Sequence, residues 1–445
     1  MNLKYLKLGR SSHLVELPDL SNAKNLEAID LRLCKGLISV HPSVFTLNKL
    51  EKLHLGGCIS LVSFQSNIHL SSLRYLSLAG CIALKEFSVT SKEMIKLNLE
   101  LTGVKQLPSS IGLQTKLEKL LLAHSSIENL PESFKLLTRL RHLGLQDCRN
   151  LRSLPELPSS LITLDASGCV SLENVTFPST SLQMLKENKT RVSFWNCLKL
   201  NEHSLIEIGL NAQINMMKFA RQHISISRHH YDARGTYVYP GSSVPQWLVY
   251  RTTHDYMTID LSSANHSSPL GFIFCFIVPQ VPSQGFILRF NISVDECEDI
   301  QLYLDRPGRE IRSDHVYLIY DRGFSRYLNS RVKIQPKFKI KVTAESRTLT
   351  SEYVSLMILK GFGFSPIHTS QYLNLTQHME MVEGPSIPIP YSISSIVYSI
   401  LLPICIELFL LNVLFRTAAI FYWVLVIFIL ATAILFLINF GVVLR

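Results

Sequence analysis

A solenoid of strand-and-turn repeats, then an all-β sandwich, then an apolar tail of membrane-spanning length is the architecture this 445-residue sequence predicts. Three observations carry it: a leucine hexad that returns every 21 to 24 residues, a change to twofold alternation after residue 235, and 28 uncharged residues near the carboxyl end. Composition agrees. With 47% hydrophobic and 18% charged residues the chain is too apolar to be disordered, and at ~150 residues per domain its length allows about three structural units.

The hexads are LKYLKL at Leu3, LEAIDL at Leu26, LEKLHL at Leu50, LRYLSL at Leu73, MIKLNL at Met94, LEKLLL at Leu117, LRHLGL at Leu140 and LITLDA at Leu161. They share the template L-x-x-L-x-L, and eight residues after each start stands Ser11, Cys34, Cys58, Cys81, Thr102, Ser125, Cys148 or Cys169. This is the pattern of an α/β leucine-rich-repeat solenoid, expected over residues 1–201. Each repeat is a short strand, a turn and a return arm that cannot bury its leucines alone, so stacking supplies the core. LVELP, VKQLPSS, IENLPES and LRSLPEL recur on the return arms, where proline excludes helix and keeps the chain extended.

The same register assigns most of the cysteines. Cys34, Cys58, Cys81, Cys148 and Cys169 form a structural ladder, expected as buried reduced thiols, and with no C-x-x-C or H-x-x-x-H spacing no metal site is expected. Strand positions between the leucines face the concavity: Tyr5, Lys7, Arg10, Arg32, Lys52, His54, Arg74, Tyr75, Lys96, Lys119, Arg141 and His142. Up to Asn201 there are 24 basic against 16 acidic side chains, so most of the net charge of +10 lies here. The strip suits an acidic protein partner, against the plainer reading of a solvated face. No nucleic-acid signature is present, and nucleic acid is not an expected ligand.

A repeat begins at residue 3 without a polar cap, which predicts either that the chain is cut from a longer protein or that its gene model lacks upstream exons, whereas Phe194 and Trp195 are expected to cover the last repeat. Residues 202–234 read as an amphipathic helix and a His- and Arg-rich linker. From 235 to 378, segments starting at Tyr237, Tyr256, Gly271, Phe286, Ile300, His315, Val332 and Tyr353 read as eight strands of a sandwich. In PKFKIKV, Lys337, Lys339 and Lys341 alternate with Phe338, Ile340 and Val342, which predicts an edge strand guarded by lysines in preference to a basic contact stripe.

After a linker at 379–392, residues 393–415 form a possible membrane segment marred by Pro403 and Glu407, and 417–444 a transmembrane helix. Motifs for nucleotide binding, serine hydrolysis or zinc proteolysis are absent. The acidic group Asp295, Glu296, Glu298, Asp299 and Asp305 fits no calcium loop, and His229 and His230 lie in a polar linker. No enzyme activity and no cofactor are expected.

The repeats ending in GGC, AGC, QDC and SGC, the closing segment FWNCLKLNEHSL, and YPGSSVPQWLVYRT from Tyr239 to Thr252 resemble plant intracellular immune receptors of the TIR, nucleotide-binding, leucine-rich-repeat type. DHVYLIY at Asp314 and LKGFGFSPIH at Leu359 continue the resemblance over roughly residues 1 to 375, with Phe362 where the family pattern has cysteine. The resemblance implies a post-repeat jelly-roll and Ig-like domain, and recognition of pathogen effectors or host proteins by repeats and jelly-roll together. Neither a phosphate-binding loop nor a TIR-like domain is present in the sequence, so no switch or NAD-cleaving activity carries over. The expected location is the membrane, with both domains facing the cytoplasm. The rivals are a cell-surface repeat receptor, which sequons at Asn174, Asn188, Asn265, Asn291 and Asn374 make conceivable, and a truncated gene product without a role of its own.

Overall fold

The computed structural model describes residues 2–178, 186–222, 234–262, 269–281, 286–295, 298–303, 310–348 and 354–371. Both expected membrane segments and the linker before them lie outside the described residues, as do Asn265, Asn374, His229, His230, Glu296 and Asp305. Among the described residues no helix is long and apolar enough to cross a membrane.

Thirteen described strands build the solenoid: β1 (Tyr5–Lys7), β2 (Ala28–Asp30), β3 (Lys52–His54), β4 (Ser63–Gln65), β5 (Tyr75–Ser77), β6 (Glu86–Ser88), β7 (Lys96–Asn98), β8 (Lys119–Leu121), β9 (His142–Gly144), β10 (Ser153–Leu154), β11 (Thr163–Asp165), β12 (Asn174–Val175) and β13 (Arg191–Ser193). Nine of them pair in parallel as one sheet, β1-β2-β3-β5-β7-β8-β9-β11-β13, while β4 pairs β6 and β10 pairs β12 on the return arms. The middle aliphatic residue of each hexad falls in one register row: Leu6 at the open end is partly buried, and Ile29, Leu53, Leu76, Leu97, Leu120, Leu143 and Leu164 are buried. Prolines 108 and 131 hold extended backbone, but each is followed at once by a turn of 3-10 helix, Ser109–Leu113 and Glu132–Leu136. Fixed φ therefore starts a tight turn there, and the return arm is less extended than proline alone suggests.

Each repeat turns by the same device. Arg10, Leu33, Gly57, Gly80, Leu101, His124, Asp147, Gly168 and Asn196 precede the ladder positions, and all adopt left-handed backbone with φ from 54° to 78°. In that conformation the N–H of Arg10, Leu33, Leu101 or His124 reaches the carbonyl of the next repeat at 2.7–2.8 Å. The following cysteine reaches back: Cys34 Sγ lies 3.1 Å from the Leu8 carbonyl, and Cys58, Cys81, Cys148 and Cys169 repeat the contact at 3.1–3.2 Å. Where the ladder residue is cysteine, the turn is thus tied forwards through backbone and backwards through sulfur, whereas Thr102 bonds the Leu99 carbonyl of its own repeat. The five thiols are free, and a sixth, Cys197, extends the ladder at 3.0 Å from Ala166 O.

Cys197 marks a ninth repeat in which the leading leucine has become Lys189. That lysine is 4% exposed and ion-paired with Glu187, itself 1% exposed. The pair is sealed by α1 (Glu202–Gln222): Asn211 donates to Glu187 Oε2 at 2.6 Å, the Lys189 N–H donates to Asn215 Oδ1 at 3.0 Å, and Lys218 Nζ donates to the Glu187 carbonyl at 2.7 Å.

The chain then runs through β14 (Arg234–Pro240), β15 (Tyr250–Thr252), β16 (Tyr256–Asp260), β17 (Gly271–Val278), β18 (Phe286–Val294), β19 (Glu298–Tyr303), β20 (His315–Asp321), α2 (Arg322–Ile334), β21 (Lys337–Thr348), β22 (Val354–Met357) and β23 (Phe362–Ile367). β14 pairs parallel to β13, Val192 opposite Tyr237, so the solenoid sheet continues without a break as β14-β20-β17-β23-β15. A second antiparallel sheet, β16-β21-β18-β19 with β22 beside β21, covers it. Every residue of GFIFCFIV in β17 is buried: Ile273, Cys275 and Ile277 join the core shared with the solenoid and α1, and Phe272, Phe274 and Phe276 join the core between the two sheets. Phe276 stacks on Phe290 at 4.1 Å and Phe274 on Phe324 of α2 at 4.7 Å.

Three expectations change here. Val332 begins no strand, because Asp321 caps a helix by accepting from the Phe324 N–H at 2.9 Å and α2 runs on to Ile334. β21 is no edge strand, since β16 and β18 flank it. The last repeat ends in no free cap: Phe194 packs in the solenoid core, but Trp195 packs in the core between the sheets, 4.8 Å from the His315 ring.

His315 is fully buried, and burial pushes its pKa down to about 4. Its Nε2 accepts the Asn196 N–H at 2.9 Å while Nδ1 meets the Ser313 carbonyl at 2.8 Å, an arrangement that needs the neutral ring. With a folded pKa below the ordinary 6.5, the unfolded chain binds the extra proton, so this stabilisation is present above pH 6.5 and is lost as pH falls towards 4. The expected loss is about 3 kcal/mol by urea titration across that window, and His315→Gln should flatten the slope. Lys189→Leu should cost about 3–5 kcal/mol by stranding Glu187, whereas Lys189→Leu with Glu187→Leu should recover most of it. Leu101→Gly, at a 51% exposed left-handed position, should raise stability by about 1 kcal/mol in the same assay.

Candidate protein-recognition face

Between the buried leucines two rows of side chains line the concave sheet, with neighbours about 4.8 Å apart. The first runs Tyr5, Ala28, Lys52, Tyr75, Lys96, Lys119, His142, Thr163 and Arg191. The second runs Lys7, Asp30, His54, Ser77, Asn98, Leu121, Gly144, Asp165 and Ser193. Arg74 and Arg141 stand one residue before their strands, in a row that also holds Glu27, Glu51 and Glu118, and Arg10 sits in a left-handed turn.

The structure divides the twelve expected contact residues by their partners. Arg32 is held by Asp30 through two bonds of 2.9 and 2.7 Å, which draws that carboxyl down to about 2 and leaves little net charge. Tyr5 OH lies 3.3 Å from Glu27, which also binds Lys4 at 2.9 Å. Lys52, Lys96, Lys119 and Arg141 make no ion pair among the described residues. Lys52 Nζ lies 5.7 Å from the Tyr75 ring centroid and the Arg74 guanidinium 6.0 Å from it, so Tyr75 is an aromatic platform between two cations. Burial lowers the pKa of His54, and burial with the charges of Lys119 and Arg141 lowers that of His142. Both imidazoles are neutral at pH 7, and His142 shares a 2.7 Å hydrogen bond with Thr163.

Lys52, Lys96, Lys119 and Arg141 thus lie in one central stretch, with Asp30 on one side of it and Asp165 on the other. The row continues through Thr163, a neutral residue of the eighth hexad, to Arg191, which is hidden in the sequence because Lys189 replaces the leading leucine of the ninth repeat. Among the described residues no group of three or more His, Cys, Asp or Glu is arranged to hold a metal.

A parallel sheet of short strands, inward leucines, a ladder of small polar side chains and an exposed concave row together define a leucine-rich-repeat protein. The chain's homologues are disease resistance proteins of the TIR, nucleotide-binding, leucine-rich-repeat type from Arabidopsis thaliana. It is 35% identical to RML1B over 72% of this chain and 31% of that protein, 26% identical to RPS4B over 72% and 26%, and 36% identical to RPP2B over 27% and 10%. The chain spans between a tenth and a third of these relatives' lengths. No protein-family model matches it. Among solved structures it is similar to the leucine-rich-repeat domain of the type III effector XopL, at 22% identity over 46% of this chain and 67% of that one, with a TM-score of 0.29.

Asp30→Asn should release Arg32 onto the concave surface. The expected outcome is tighter retention of the full chain on a heparin column by a shift of measurable salt concentration, with no such shift for Asp30→Glu, which keeps the carboxylate charge beside Arg32.

Proposed function

We propose that this chain is a non-enzymatic recognition module of a plant immune receptor, which binds a pathogen effector or a host protein through the concave stretch Lys52, Tyr75, Lys96, Lys119 and Arg141. The observation that carries the reading is the group of cations without carboxylate partners around Tyr75 in a chain homologous to disease resistance proteins. An aromatic flanked by cations on a rigid sheet suits an acidic protein surface: the ring supplies contact area at little entropic cost and the charges steer encounter. The two-sheet domain after the repeats is, in this reading, the family's jelly-roll and Ig-like domain acting beside the solenoid. The uncharged run 417–444 anchors the chain in a membrane with both domains on the cytoplasmic side.

The glycosylated cell-surface alternative meets an obstacle at Asn291. Its amide donates to Glu345 Oε1 at 2.8 Å on a half-buried strand position, where a glycan would break the bond. The test is cross-linking mass spectrometry on the tagged chain in infected leaf tissue, beside the variant Tyr75→Ala, Lys96→Ala, Arg141→Ala. The expected outcome is loss of concave-face cross-links by at least about tenfold with unchanged thermal stability; equal cross-linking in both chains would remove the strip from the site.

A further inference from the structure

The lysines of β21 line no open edge: β16 runs beside all three, β18 pairs from Ile340 onwards, and the Lys339 N–H donates to Asp295 Oδ1 at 2.7 Å. Lys337, Lys339 and Lys341 are exposed on the outer face of the second sheet, while Phe338, Ile340 and Val342 fill the core behind them. Lys339 Nζ stands 4.6 Å from the ring centroid of Tyr256, itself half exposed. Three large aliphatic side chains lie open to solvent near this row: Ile334 is 87% exposed, Leu356 75% and Ile358 89%. Leu356 is registered opposite Glu345, two positions of the same parity from Lys341, so it shares the lysines' face, and Ile358 lies one residue past the end of β22. Ile334 ends α2 three residues before Lys337.

Two of the carboxylates nearby are engaged: Glu345 is paired with Arg289 and Asn291, and Asp295 with Arg331 at 2.6 Å, while Asp260 opposite Lys337 and Asp255, whose carbonyl accepts the Val342 N–H, are exposed. A row of lysines attracts an anionic surface, and isolated aliphatic tips beside it suit a partner that takes them without a shaped pocket. A bilayer of acidic lipids has both properties. We propose that the outer face of β16, β21 and β22 lies against an anionic lipid surface, with Lys337, Lys339 and Lys341 at the headgroups and Ile334, Leu356 and Ile358 at the acyl boundary. The proposal draws support from the reading of 417–444 as an anchor in the same chain, though the face itself is independent of it.

The test adds the full chain to phosphatidylcholine vesicles, with or without phosphatidylserine, and follows lysine acetylation by a water-soluble reagent, residue by residue, by mass spectrometry. One lysine at an acidic surface is worth about fivefold in binding. Lys337, Lys339 and Lys341 should therefore be acetylated at least about fivefold more slowly on the serine-containing vesicles. High salt should restore their rates, Lys52 and Lys119 should be unaffected, and Lys339→Glu with Lys341→Glu should abolish the protection of Lys337. Equal rates on both lipids would leave an acidic protein as the face's occupant and overturn the proposal, as would protection confined to Lys52 and Lys119. Flotation on phosphatidylcholine alone reports the tail, so failure of the anchor reading and failure of this one are separately visible.

Discussion

The pairing of β13 with β14 is the constraint on which the rest of the structure depends. A solenoid exposes apolar side chains at an open end, and here that end is closed by strands that continue the same sheet. Val192 opposite Tyr237 carries the leucine row into the post-repeat domain, and Phe194 donates its N–H to Val238 at 2.9 Å. Trp195 then leaves the solenoid core for the core between the sheets. The two halves therefore share backbone hydrogen bonds, and α1 bridges them through Ile208 and Met216 on the solenoid core and Phe219 against Tyr320 at 5.6 Å.

Buried polarity concentrates at this joint. Glu187, Lys189, Asn211, Asn215 and the Tyr237 hydroxyl, which donates to the Lys189 carbonyl at 3.1 Å, fill a region where eight other repeats place leucine, isoleucine or methionine side chains. Such a network is costly when half satisfied and specifies one docking when complete. His315 adds a second polar tie across the joint through Asn196. The row that begins at Tyr5 runs on past the last repeat to Thr236, registered opposite Arg191 and buried, so the sheet's geometry is fixed at that end.

Much of this was legible in the leucines. Eight hexads fixed the strand register, the inward rows and five ladder cysteines, because burial in a stacked solenoid dictates residue type at every third or second position. The ninth repeat escaped because its leading position is a charged residue whose burial becomes intelligible only beside Glu187 and α1. The left-handed row was equally hidden: Leu33, Leu101, His124 and Asp147 occupy a conformation usually given to glycine, and stacking compels it through the next repeat's carbonyl. In the sandwich, alternation in PKFKIKV told which side chains are buried but not whether the strand lies at an edge, since period two is the same in both places. Helix α2 was missed because its apolar positions, Phe324 and Leu328, are few and its start depends on the Asp321 cap. Of the candidate contact face, the residues were readable but their partners were not; Asp30 neutralises Arg32 across two positions that the sequence left apparently equivalent.

Hydrogen exchange on the full chain at increasing urea, read by mass spectrometry on peptides from residues 50–150 and 271–320, addresses the central claim that solenoid and sandwich form one body through the β13–β14 joint. In one cooperative body the best-protected amides of both regions open in a single transition at one urea concentration. Two separate transitions, with the repeats exchanging while β17 and β20 stay protected, would contradict it.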